Sequence, residues 1–239
     1  ATGAIIYFTA DYLGYKNSYL FFGLPIFVIA LATLLFNPIE KETIPQKGKI
    51  ILKKKYWLFY VLTFLSGARR QIFVAFAVFL LVQKFKLSVS TVSLLFIFNN
   101  VLNYFMSPIV GRMIQRFGER KILSFEYISL LLVFFGYTVV SSAEVAMLLY
   151  VLDHLFFGFG YSVQTYFQKI ADPRDIAPSM AVGFTINHIA AVFIPALFGL
   201  LWLIDYRWPF YIGIILAFIS LIFTQFIGSK ASEEATEAK

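Results

Sequence analysis

The amino-acid sequence predicts an all-α, polytopic membrane helical bundle. Three observations carry that prediction: an apolar composition, seven apolar stretches of membrane-crossing length, and basic residues that sort to alternate connections. Of 239 residues, 60% are hydrophobic, 19% aromatic and only 14% charged. Soluble domains are just under half apolar and about one-quarter charged, because polar surface must cover the core. This chain is too poor in charge for that, so a soluble globular class is excluded before any motif is read.

A bilayer core of roughly 30 Å takes about 20 mainly apolar residues in helical form. Backbone groups in hydrocarbon must bond within their own segment, so such stretches are helices. The alternating ten-residue strands of a membrane barrel do not occur in the sequence. In order, the predicted spans are Ser18–Phe36, Tyr56–Val82, Ser90–Val110, Ile122–Val140, Val145–Phe167, Pro178–Leu203 and Trp208–Ile227. Ala1–Phe8 precedes them as a short apolar stretch with neither an initiator Met nor a basic flank, unlike a secretory signal. It reads as the tail of a helix that begins upstream, making the chain part of a longer protein.

The connections are short except for the polar, Lys-rich linker Asn37–Lys55. The expected organisation is therefore 1–36 with one full span, the linker 37–55, a block of six spans over 56–228, and a tail 229–239. Fourteen of the 20 Lys and Arg fall on one side of these alternating spans, in 41–55, 112–121, 169–174 and 230–239. Lys16, Lys84, Lys86 and Arg207 fall on the other. The positive-inside rule then places the linker and the C-terminus in the cytoplasm, with Lys53, Lys54 and Lys55 against anionic lipid. The net charge of +7 is thus dispersed among loops, so the expected partners are the bilayer and a small solute, with no nucleic acid. The chain has no cysteine, which excludes disulfides and thiolate metal sites.

The connection after the third span reads Gly111-Arg112-Met113-Ile114-Gln115-Arg116-Phe117-Gly118-Glu119-Arg120-Lys121. This resembles the G-x-x-x-D-R-x-G-R-[KR] signature of the major facilitator superfamily, whose second copy joins helices eight and nine. Gln115 stands where the pattern has Asp, and Glu119 where it has Arg. The resemblance implies that the chain runs from the end of helix five through helix twelve and lacks the N-terminal half of the same transporter. It also implies inverted three-helix repeats with a solute site at the interface of two halves. Spans two and five would line the cavity, three and six would flank it, and one, four and seven would face lipid. Gly111, Arg112, Arg116, Gly118 and Arg120 would form a gating loop.

Charges inside spans are costly, at least about 2.5–3.5 kcal/mol at mid-bilayer on insertion scales. Arg69 and Arg70 sit near the middle of the second span and are the remaining two of the 20 basic residues. Adjacent helical residues point about 100° apart, so one wall cannot present both equally. Ser66 and Arg70 share a stripe, which favours Arg70 as the cavity residue and Arg69 as a packing or ion-pair residue. Asp153, with Phe157, Tyr161, Gln164 and Gln168, is read as one polar, aromatic face of the fifth span. Asp153 is either a titrating coupling site or the fixed partner of an arginine.

His154 and His188 are either proton relays or interhelical hydrogen-bond partners, and Asn99, Asn103 and Asn187 either solute contacts or helix–helix glue. Glu126, one turn inside its span, is expected to reach the interface near the 112–121 loop. Pro108 and Pro195 are expected kinks. No nucleophile–base pair, phosphate loop or metal cluster is recognisable, so neither an enzyme nor a cofactor is expected. The expectation is a secondary transporter of an anionic or zwitterionic small solute, possibly coupled to protons. Two alternatives stand beside it: a drug or metabolite efflux carrier, and a non-transporting sensor or assembly module on the same fold.

Overall fold

The computed structural model describes residues 17, 20–21, 23–33 and 52–228. The readings of Ala1–Phe8, of most of the 37–55 linker, of the 229–239 tail and of both ends of the first predicted span lie outside the described residues. The chain divides between Pro45 and Gln46 into two units, and each is taken by itself. In the first, α1 (Gly23–Thr33) is an apolar helix with its large side chains exposed.

The second unit is helical throughout its described regular elements. Its first rod, Lys54–Lys84, enters through a 3₁₀ turn, continues as α2 (Trp57–Gln71), and widens into π-helical turns over Ile72–Ala77 and Leu80–Lys84. It ends where Lys86 takes a positive φ of 55°. Next, α3 (Val89–Phe117) is capped by the Ser88 hydroxyl, which accepts from the Thr91 amide at 3.1 Å. Gly118, with φ +80°, ends α3 and starts α4 (Glu119–Val139), so the connection between them is a single residue. Ser142 caps α5 (Ala143–Phe157). A 3₁₀ turn at Gly158–Gly160 joins it to α6 (Tyr161–Ile170). Two long rods remain, α7 (Ile176–Ile204) and α8 (Trp208–Thr224), with Pro108 inside α3 and Pro195 inside α7.

Among the described residues, five helices are long and apolar enough to cross a membrane. The sequence-based spans stop where apolarity stops, whereas the helices stop where backbone bonding stops. Thus α3 runs seven residues past Val110, through the basic motif, until Gly118 turns the chain. Conversely, α8 is a 17-residue α-helix. Beyond it, Phe226 bonds to Phe223 and Ile227 to Thr224 in a tighter i→i−3 turn, which carries the rod to the predicted end at Ile227.

Large apolar side chains face outward as well as inward. On α4, Phe125, Ile128, Leu132, Phe135 and Val139 are exposed at helical spacing, while Glu126, Tyr127, Leu130, Phe134 and Tyr137 are buried. On α8, Tyr211, Ile215, Phe218 and Ile222 are exposed, while Gly213, Ala217, Ser220 and Thr224 are buried. Small residues on α8 let it approach α4 closely, as membrane helices do without a hydrophobic drive between them. A Cβ at Gly213 would lie 3.1 Å from the Phe134 ring. Both helices therefore present an apolar stripe outward and, beyond the first turns of α4, keep their few polar side chains among the buried ones.

Candidate functional site

A cavity of about 380 Å³ opens on the face shared by four rods of the second unit. From α2 and its π-helical extension come Ser66, Arg70, Phe73 and Val74, and from α3 come Phe96 and Asn103. The α5–α6 rod supplies Tyr150, His154, Phe157, Gly158, Gly160, Tyr161 and Gln164, and α7 supplies Asn187. A second cavity of about 260 Å³ adjoins it, sharing Arg70, Val74 and Asn187 and adding Gln71, Phe184, His188 and Ala191.

Local structure sets who faces the cavity. Gly67 lets α2 and α7 approach so closely that a Cβ there would lie 2.7 Å from Asn187 Oδ1, and this places the Asn187 amide at the junction of the two cavities. The Asn103 amide donates to His154 Nε2 at 3.2 Å, joining α3 to α5. His188 Nδ1 donates to the Phe184 carbonyl at 2.9 Å, and its ring lies 4.0 Å from that of Phe184. Phe73 stacks on Tyr150 with ring centroids 5.0 Å apart and sits 5.4 Å from the His154 ring. Phe96 meets Tyr150 edge-on at 6.0 Å.

Of the residues singled out from sequence, Ser66, Arg70, Asn103, His154, Tyr161, Gln164 and Asn187 line the larger cavity, and His188 the smaller. Three others do not reach a wall. Asn99 is 1% exposed, with neither amide atom bonded to another protein group. Asp153 is also 1% exposed and absent from both walls, which corrects its expected place on the face of Tyr161 and Gln164. Tyr150, His154 and Phe157 of the same helix do line the larger cavity, so the wall passes Asp153 on its His154 side.

Arg69 is the third. It is buried behind the wall, with Nη2 3.8 Å from Glu126 Oε1 and its guanidinium 4.2 Å from the centre of the Tyr127 ring. Glu126 is fully buried, correcting the expectation that it reaches the interface near the 112–121 connection: it points inward, beside Gly160. Asp153 feels the Arg69 charge from the α5 side. Glu126 thus pairs with the Arg69 guanidinium in the interior, Asp153 lies within range of its charge, and Arg70 faces the cavity with no ion-pair partner among the described residues. Sequence reasoning missed the aromatic wall of Phe73, Phe96 and Tyr150. One sequence signal pointed to it: the high aromatic content, which carried no position.

The motif residues lie at the end where α3 meets α4. Gly111, Arg112 and Arg116 are helical and exposed. The Arg112 Nε–H bonds to the Pro108 carbonyl at 3.4 Å, and the Arg116 guanidinium lies over the Phe117 ring. Arg120 donates twice to Gln225 Oε1, at 3.2 and 3.1 Å, tying α4 to the end of α8. Glu119, which departs from the motif, pairs with Lys169 of α6 at 2.6 Å.

Lys53, predicted to touch lipid, pairs with Asp175, which also accepts from the Tyr56 hydroxyl at 3.1 Å. At the opposite ends of the rods, Lys84 donates to the Val140 carbonyl at 2.9 Å and to the Tyr206 hydroxyl at 2.6 Å. Burial alone raises the Tyr206 pKa, but hydrogen bonds and charge from Lys84 and Arg207 outweigh it and hold the phenol below its ordinary value.

No curated protein matches the chain. A family model described as the Major Facilitator Superfamily matches residues 1–165 and 59–238, between them nearly the whole sequence. With its apolar helices, buried ionisable groups and four-rod cavity, the chain is an integral, multi-pass membrane transporter protein and belongs to the major facilitator superfamily.

Proposed function

We propose that the chain is the C-terminal part of a secondary active transporter that works by alternating access, and that the two adjoining cavities are one wall of its solute site. The observation that carries this reading is the contrast between neighbours: Arg69 is paired in the interior, and Arg70 is free to meet a solute on the cavity wall. A lone cation in a low-dielectric cavity favours an anionic or zwitterionic solute.

The opposite wall comes from the N-terminal half. Leu94, Phe98, Val101 and Phe105 form an exposed apolar stripe on α3, and Phe193, Leu197, Leu200 and Ile204 form another on α7. They flank the cavity where a second helical half would close on it. The linker and C-terminus lie in the cytoplasm of a bacterial-type plasma membrane, as the distribution of basic residues supports. The domain scheme 1–36, 37–55, 56–228 and 229–239 belongs to the same reading, as does the gating role of the α3–α4 turn. The protein performs transport and no covalent chemistry.

Transport is coupled to protons. Fully ionised Glu126 and Asp153 exceed the single charge of Arg69 by one, so one proton neutralises the buried group. The test is uptake by the full-length protein in proteoliposomes under an imposed proton gradient. Accumulation should collapse on adding a protonophore, and again with Arg70→Ala. Normal accumulation by Arg70→Ala and by Asp153→Asn overturns the assignment.

A further inference from the structure

We infer that the solute is an organic monocarboxylate with a flat aromatic body, an inference that rests on the reading of the cavity as the solute site. Three features converge. Arg70 sits where the two cavities join, and a guanidinium is a planar fork that matches a carboxylate through two parallel hydrogen bonds. It is also the one formally charged side chain on either wall among the described residues, because Glu126 and Asp153 lie buried behind it. One cation balances one anion. A dianion such as a phosphate ester would leave a charge uncompensated in a low-dielectric site.

The third feature is shape. On one side of Arg70 the larger cavity is walled by the Phe73–Tyr150 stack, the edge of Phe96, and Tyr161, which is 57% exposed. Flat rings offer large apolar area and favour offset or edge-on contact with another ring. On the other side, Gln71, Asn187 and His188 line a smaller lobe together with Val74, Phe184 and Ala191. A carboxylate held at the junction therefore directs a ring-sized apolar body into the larger lobe, where the rings are clustered.

The sequence contains no cysteine, so a single reporter is practical. Val74 lines both cavities and is 47% exposed. In proteoliposomes of the full-length protein made otherwise free of cysteine, Val74→Cys is labelled with a maleimide in the presence of 3-phenylpropanoate, 3-phenylpropanamide, 3-phenylpropylamine or propanoate. The expected result is protection by 3-phenylpropanoate at about tenfold lower concentration than by any other, the scale of one charge-assisted bond. Adding Arg70→Ala abolishes that preference, and Arg70→Lys keeps part of it. Equal protection by the amide or the amine overturns the carboxylate and leaves the cavity as the solute site. Equal protection by propanoate overturns the aromatic body. If the cysteine reacts from neither side of the membrane and no compound alters its labelling, the solute-site reading falls as well.

Discussion

Arg69 and Glu126 face each other across the contact between α2 and α4, Nη2 to Oε1 at 3.8 Å, and both are buried from solvent. Neither group has a protein hydrogen-bond partner within bonding distance. The pair is held by charge, by the Tyr127 ring beneath the guanidinium and by exclusion of water. A buried pair of this kind adds little net stability, yet removing one member strands the other. Asp153 remains near Arg69, which softens one loss and aggravates the other.

Arg69→Met is accordingly expected to be the worst single change, because it leaves two carboxyl groups buried without a cation. The expected cost is about 3–5 kcal/mol. Glu126→Gln should cost less, since Asp153 still lies within range of the arginine's charge. The double variant Arg69→Met/Glu126→Gln should regain part of the loss. Thermal unfolding of the purified protein in detergent measures the order.

Asp153→Asn separates coupling from binding. If Asp153 takes part in holding the transported proton, the variant exchanges solute across the membrane at near-normal rates but no longer accumulates it against a gradient. Counterflow and proton-driven uptake, measured on the same proteoliposomes, check both halves of that statement.

Gly67→Ala tests the α2–α7 contact that positions Asn187. The added methyl falls 2.7 Å from Asn187 Oδ1 and 3.3 Å from its Cα, so backbone as well as side chain must yield. Overpacking of this kind costs about 1–3 kcal/mol. Transport should fall further than stability, because the displaced amide lies at the junction of the two cavities; initial uptake rate and melting temperature give the comparison.

Tyr56→Phe removes the hydroxyl that donates to Asp175 and accepts from the Asp172 amide, each at 3.1 Å. The expected loss is about 1–2 kcal/mol, the worth of one or two hydrogen bonds with a charged partner. Limited proteolysis should show earlier cleavage at the α6–α7 turn, while the far ends of the rods are unaffected.

Tyr206 should be the probe of those far ends. Its phenol is held below its ordinary pKa by Lys84 and Arg207, so it ionises earlier than an unperturbed tyrosine as pH rises. Ionisation is favoured in the folded state. The resulting stabilisation is therefore present above the unfolded pKa and lost as pH falls through the lowered folded one. Ultraviolet titration of the wild type against Tyr206→Phe reads the difference.

Residue type and order alone determined the class of this protein. Long apolar runs in a chain with few charges can only be membrane helices, since every backbone amide in lipid must bond within its own segment. That two adjacent arginines cannot share a wall was equally legible, because neighbours on a helix diverge by about 100°. The tertiary structure decided which way each inner polar group points. Glu126 turns inward because its partner lies on α2, 57 positions earlier in the chain. Asp153 is buried although Tyr150, His154 and Phe157 of the same helix line the cavity, and Phe73 and Tyr150 form a wall only because the π-helical extension of α2 meets α5. Span positions follow from local apolarity and are written in the sequence. Side-chain azimuth follows from rotation accumulated along each rod and from which rod lies opposite, and those exist only once the bundle has packed.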